Sequence, residues 1–282
     1  MKLIKAITHQ EKRDFINFIY HVYKNDYKYR DLNLLFVKNF LYKQDKYAKR
    51  CQVVPLIVFE DEIKAVAMYI YTDDSEELKL SFLEFLPHAE KYLKAILEYG
   101  QNLGKNEHLN KIVVGINGHV TYGLGILENN HDLDFEFNSN YNPNYYTQEL
   151  DKLGLTKKKV ISYAYSSTLD EAKRLCNQAV IKRIYEAYTF RCFNPRKFRE
   201  EMLILGEIID KAWRNTPYYS SKTAEELLEL IDEMRLLLKK EDIVFALKDG
   251  KEVAFVFTHP NYAELFTRKK VNLVLMFFLN YF

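Results

Sequence analysis

The apolar positions along the chain change period several times, and each change predicts an element. Lys2–Ile7 reads as a short strand. Thr8-His9-Gln10-Glu11 then fits a capping box, in which hydroxyl and carboxylate satisfy free backbone donors at a helix start. Phe15, Phe18, Ile19 and Val22 continue at helical spacing, and Leu34, Val37 and Leu41 mark a second helix. Gln52–Phe59 and Lys64–Tyr71 are β-rich runs around the acidic turn Glu60-Asp61-Glu62, which predicts a hairpin. Leu78–Leu86 is a further strand. Pro87 suits the first turn of a helix, with Ala89, Leu93, Ile96, Leu97 and Gly100 as its buried face. Lys111–Ile116 is a strand, and Asn117–Asn144 is a long irregular segment of the kind that often carries function. Tyr145–Leu153 predicts a helix stopped by Gly154, and Lys158–Ser166 a strand.

A second capping box, Thr168-Leu169-Asp170-Glu171, opens one connecting helix through Cys176, Ala179 and Ile184. The order strand–helix–helix–hairpin then begins again. Thr189–Phe193 is a strand, and Phe198, Met202, Leu205, Ile209 and Ala212 define a helix. Thr223-Ala224-Glu225-Glu226 caps another helix, carried by Leu227, Leu230, Ile231, Met234 and Leu238. Asp242–Leu247 and Glu252–Thr258 flank Asp249-Gly250, a strong two-residue hairpin turn. The expected class is mixed α+β, with residues 1–166 a complete unit, 167–188 a connection and 189–282 a partial repeat that stops early.

Composition narrows the function classes. The formal net charge is +2, and Lys and Arg are interleaved with Asp and Glu. A surface that tracks phosphates concentrates basic residues on one element, so a nucleic-acid partner is not expected. The three cysteines, Cys51, Cys176 and Cys192, form no CxxC pair, which indicates neither a zinc site nor a disulfide framework. No apolar run reaches the roughly 18 residues that span a bilayer, and Met1–Lys5 does not resemble a signal peptide, so a cytoplasmic protein is expected. An unfinished second sheet would leave an open edge. The apolar tail Val271–Phe282 is expected to cover that edge, pack on the first unit or form a homodimer contact.

The order β–α–α–β–β–β–α–β–α–β of residues 1–166 resembles the GNAT N-acetyltransferase fold. Tyr141-Asn142-Pro143-Asn144-Tyr145-Tyr146 with Leu150-Asp151-Lys152-Leu153-Gly154-Leu155 is similar to a segment of long GNAT-like bacterial proteins. The stretch from Ala212-Trp213-Arg214-Asn215 to His259-Pro260-Asn261-Tyr262 resembles the opening of a second such unit. The resemblance implies acyl transfer from acetyl-CoA or another acyl-CoA, a cosubstrate rather than a tightly bound cofactor, to a small-molecule amine. It implies a thioester arm along Leu78–Leu86, with Phe82, Phe85, Leu86, His88 and Ala89 facing the donor. Two positions depart from the pattern. The family's glycine-rich diphosphate loop is replaced by Phe85-Leu86-Pro87-His88-Ala89-Glu90, and Leu150 stands where a proton-donating tyrosine is expected. The alternative is therefore a binding or scaffold protein of the same fold without chemistry.

Within that frame, Glu84 and His119 are the candidate bases. Strand alternation puts Glu84 on the face of Leu80, Phe82 and Leu86, where a buried carboxylate has a raised pKa; the other reading is a strand-end ion pair. His119 follows the fifth strand, and Tyr122, Tyr145 and Tyr146 are candidate pocket walls or simple packing residues. His88 either meets an anion or caps a helix. Asp132, Asp134 and Glu136 alternate along the chain without a further ligand pattern, so no metal site is expected.

Overall fold

The computed structural model describes residues 1–133, 140–163, 167–232, 235 and 238–260. These divide into two units, one of Met1–Thr156 with Pro217–Ser220, the other of Lys157–Thr216 with Ser221–Pro260.

The first unit runs β1 (Lys2–Lys5), α1 (His9–Val22), α2 (Leu32–Tyr42), α3 (Lys46–Arg50), β2 (Gln52–Phe59), β3 (Ile63–Tyr71), β4 (Glu77–Phe85), α4 (Glu90–Asn106), β5 (Lys111–Val114) and α5 (Tyr145–Asp151). Its sheet has the order β1-β2-β3-β4-β5, antiparallel except for the β4–β5 pair, which α4 connects as a crossover. The predicted capping box at α1 forms: Thr8 Oγ1 accepts from the Glu11 amide at 3.2 Å, and Glu11 accepts from the Thr8 amide at 2.7 Å.

α4 covers one face of the sheet, over Ala65, Ala67, Tyr69, Leu78, Leu80 and Phe85. The Tyr69 hydroxyl donates to the Ile96 carbonyl at 2.9 Å, and Gly100 lets the ring approach the helix. A Cβ at Gly100 would sit 2.1 Å from the Tyr69 oxygen. Gly100→Ala gains up to about 1 kcal/mol of helix propensity but overpacks a rigid core at roughly 1–3 kcal/mol. Given so short an approach, a net loss of about 2 kcal/mol is expected in denaturant unfolding.

β4 carries one extra residue. Ala65 pairs with Phe85 and Val66 with Glu84, whereas Met68 pairs with Ser81, so Phe82 and Leu83 stand opposite Ala67. Phe82 takes the left-handed conformation at φ +47, the local kink of a bulge. An extra residue reverses side-chain parity beyond it. Glu84 therefore points away from the face of Leu80, contrary to the simple alternation, and towards α1 and α2. β4 and β5 pair from Glu77–Lys111 to Leu80–Val114 and then separate.

Three expectations are corrected. Residues 158–163 form no strand: they are exposed, with Val160 and Ile161 more than half open to solvent, so alternation has no buried face to serve; residues 164–166 lie outside the described part. Pro87 lies in a bend before α4 rather than in its first turn. The connecting helix is two helices, because Asn177 Oδ1 accepts from the amides of Ala179 and Val180 and starts a new one.

The second unit comprises α6 (Leu169–Leu175), α7 (Gln178–Ala187), β6 (Thr189–Cys192), α8 (Phe198–Trp213), α9 (Ala224–Asp232), β7 (Ile243–Lys248) and β8 (Lys251–Phe257). Its antiparallel sheet has the order β6-β7-β8, the adjacency of β1-β2-β3 repeated, with two helices between the first strand and the hairpin. Asp249 and Gly250 both have positive φ, as the tight turn requires. Phe193, Phe198, Met202, Leu205, Leu238, Ile243 and Phe245 form its core. Met234 and the tail Val271–Phe282 lie outside the described residues.

Candidate functional site

The bulge and the separation of β4 from β5 leave a small cleft of about 70 Å³ that opens to solvent. Glu84, Phe82 and Leu83 line it from β4, Ile19 and Tyr23 from α1, Leu34 and Val37 from α2, and Asn117, Asn140, Tyr141 and Tyr146 from the later segments. Glu84 is half-buried: it keeps some surface towards the cleft, while protein atoms surround it elsewhere. The Tyr146 hydroxyl donates to Glu84 Oε2 at 2.5 Å, and the Tyr23 hydroxyl also bonds the carboxylate. Burial pushes the Glu84 pKa from 4.5 up to about 7, with the two tyrosines partly offsetting it. A carboxylate titrating near neutrality in an open cleft can take a proton and release it at ordinary pH.

The tyrosines around it are held firmly. Tyr23 stacks on Tyr29 with centroids 3.8 Å apart, and both have hydroxyl pKa values raised by burial and by the Glu84 charge. Tyr146 stacks on Phe85 at 4.0 Å and accepts from the Phe85 amide at 3.1 Å. The Tyr145 hydroxyl donates to the Phe85 carbonyl at 2.6 Å. At the bulge the Phe82 amide donates to Asn117 Oδ1 at 2.8 Å.

Other sequence candidates lie apart from this cleft. His119 is fully buried and does not line it. Its Nδ1 accepts from the Thr121 amide at 3.1 Å, so Nε2 carries the proton and donates to the Ser220 carbonyl at 2.7 Å. Tyr122 is buried among Phe36, Phe40 and Tyr47. Lys79, buried with its pKa lowered by desolvation, donates to the Gly118 carbonyl at 3.0 Å. Leu86 is half-buried, and His88 is exposed at φ +64 without capping α4, whose cap position is Ala89. Asp132 sits in a turn, Asp134 and Glu136 lie outside the described residues, and among the described residues no three metal-binding side chains cluster.

Sequence reasoning missed Tyr23, Tyr29, Asn117 and Glu149. Tyr23 continues the buried α1 stripe four residues after Ile19, which was a usable signal. Glu149 lies on α5 four residues after Tyr145 and is buried at the start of α4. No local pattern marks its place beside α4, because His88 and Ala89 are about sixty residues away in the chain.

No family model matches the sequence. Over 85 residues the chain is 29% identical to Protein YghO of Escherichia coli, a stretch that is 30% of this chain and 22% of that protein. The chain thus spans less than a quarter of that relative's length. Three solved structures are similar at low TM-scores. A probable acetyltransferase has a TM-score of 0.36 and 12% identity, over 60% of this chain and 99% of its own. A GNAT-family acetyltransferase from Staphylococcus aureus has 0.32 and 18%, over 40% and 71%. AAC(6')-Iy, in complex with the bisubstrate analogue CoA-S-monomethyl-acetylneamine, has 0.34 and 14%, over 59% and 98%.

Proposed function

We propose that the first unit transfers an acyl group from a thioester of the acyl-CoA kind to an amine held in the cleft, with Glu84 as the base. The observation that carries the reading is the placement of Glu84, a near-neutral carboxylate facing a cleft where two strands part. The amine enters as an ammonium ion and gives a proton to Glu84, directly or through water. Its nitrogen attacks the thioester carbonyl, the C–N bond forms, and the C–S bond breaks as the nitrogen's second proton passes to the departing thiolate; the proton on Glu84 is released to solvent. Fixing the amine in the cleft supplies the orientation such a step needs. The second unit, which repeats the β1–β3 connectivity, is in this reading the opening of a second fold of the same kind.

A second reading, a binding protein without chemistry, is favoured by one observation. Both polar backbone groups of Phe85, where a thioester arm would pair with β4, are already bonded to Tyr145 and Tyr146. Thiol release from acetyl-CoA and from S-acetyl-pantetheine, measured with a panel of small amines, separates the two. Amine-dependent release that rises as the pH passes about 7 is expected, because only the ionised Glu84 accepts a proton. Absence of amine-dependent release with every donor sinks the transfer reading and leaves the binding one.

A further inference from the structure

α4 is a 17-residue helix whose cap position, Ala89, offers no side-chain hydrogen bond. The unpaired amides of a helix start, together with the helix dipole, attract an anion, and a phosphate is a common occupant. Here an anion is built in. Glu149 is only 5% exposed, and its carboxylate lies near the amides of His88 and Ala89, too far for a close hydrogen bond to either. Burial raises its pKa, but Lys152 and these amides outweigh that and hold it below the usual carboxylate range. Lys152 Nζ reaches Glu149 Oε1 at 2.6 Å, whereas Oε2 is buried without a close hydrogen-bond partner. The same short helix bears Tyr145 and Tyr146, which engage the Phe85 carbonyl and amide. One segment therefore occupies the strand-pairing groups at the end of β4 and sets a carboxylate beside the start of α4.

We propose that Glu149 is a selectivity residue that excludes a diphosphate from the start of α4, so that an acyl donor admitted to this cleft binds without phosphate there. The donor part rests on the acyl-transfer reading; the exclusion rests on α4 and Glu149 alone. A buried carboxylate fixed beside these amides repels a phosphate placed on them, and burial leaves that repulsion little screened. Lys152, the basic side chain beside Glu149, is already paired with the carboxylate.

The test uses the full chain, wild type and Glu149→Gln, titrated calorimetrically with inorganic pyrophosphate, acetyl-CoA and S-acetyl-pantetheine. Wild type is expected to bind acetyl-CoA no more tightly than S-acetyl-pantetheine and to ignore pyrophosphate. Glu149→Gln is expected to bind pyrophosphate at least tenfold more tightly and to shift the preference towards acetyl-CoA by a similar factor. Unchanged pyrophosphate affinity in a folded Glu149→Gln protein overturns the proposal. So does a tenfold preference of wild type for acetyl-CoA over S-acetyl-pantetheine, a result that needs no variant. Gain of pyrophosphate binding with no thioester binding in either protein upholds the exclusion and refutes the transfer reading, so the two fail separately.

Discussion

Glu84→Gln is expected to lower amine-dependent thiol release by roughly 10²–10⁴-fold, the range for loss of a positioned base. The amide keeps the shape of the side chain and can still meet the Tyr146 and Tyr23 hydroxyls, so the loss reports chemistry rather than folding. The variant should also lose the limb of the pH profile that rises through about 7. Stability gives an independent readout. The folded protein holds the Glu84 proton up to about pH 7, while the unfolded chain releases it near 4.5. Between those values the folded state binds more protons, so stability falls as the pH rises, by about 3 kcal/mol in all, and is flat above. Glu84→Gln removes that fall. It should match wild type near pH 4 and exceed it at pH 8 in denaturant unfolding. A variant that retains full turnover, or whose stability follows the wild-type pH curve, would remove Glu84 from the proposed role.

Arg191→Ala is expected to destabilise the second unit by about 3 kcal/mol, the lower part of the range for stranding a buried partner. Arg191 projects from β6 and ties the sheet to α8. Its Nη1 lies 2.9 and 2.7 Å from the two oxygens of Glu201, its Nε lies 2.9 Å from Glu252 Oε1, and its guanidinium packs over Phe245 at 4.5 Å. Glu201 is 5% exposed, so removing the cation leaves a desolvated carboxylate beside Met202 and Leu205. Amide hydrogen exchange should show earlier opening in β6, β7 and β8 and little change in β2, β3 and β4. Arg191→Met with Glu201→Leu separates charge from packing. Replacing both members of such a pair by apolar residues restores most of the stability, whereas Arg191→Met alone does not. Equal stability of Arg191→Ala and wild type would show that the pair contributes no more than an exposed one.

Much of the secondary structure was legible because its causes are local. Thr8 and Glu11, Thr168 and Glu171, and Thr223 and Glu226 satisfy one another across three residues, so the three capping boxes could be read directly and form as expected. Asp249-Gly250 marked its turn because few residue pairs tolerate two positive φ values. The helix from Thr168 was read as one element because the apolar period continues through Cys176. Asn177 divides it, and a side-chain bond to the next two amides leaves no trace in periodicity.

The site was legible only in part. Burial predicts a raised pKa for Glu84, and its pKa is pushed up to about 7. The direction of its side chain was misjudged, because alternation assumes one residue per pleat and β4 spends two residues, Phe82 and Leu83, opposite Ala67. His119 was drawn in by its position after β5, yet both of its nitrogens are committed to the Thr121 amide and the Ser220 carbonyl.

The sequence by itself therefore determined most of the elements, their capping boxes and the tight turn, and the absence of a glycine loop between β4 and α4. These depend on residues within a few positions of one another. The tertiary structure decided which way Glu84 faces, that Tyr23 and Tyr146 hold it, and that Glu149 lies beside the start of α4. Each of those depends on groups about sixty residues apart in the chain, which only the packing of helices on the sheet brings together, and on a one-residue bulge whose effect is to exchange the two faces of a strand.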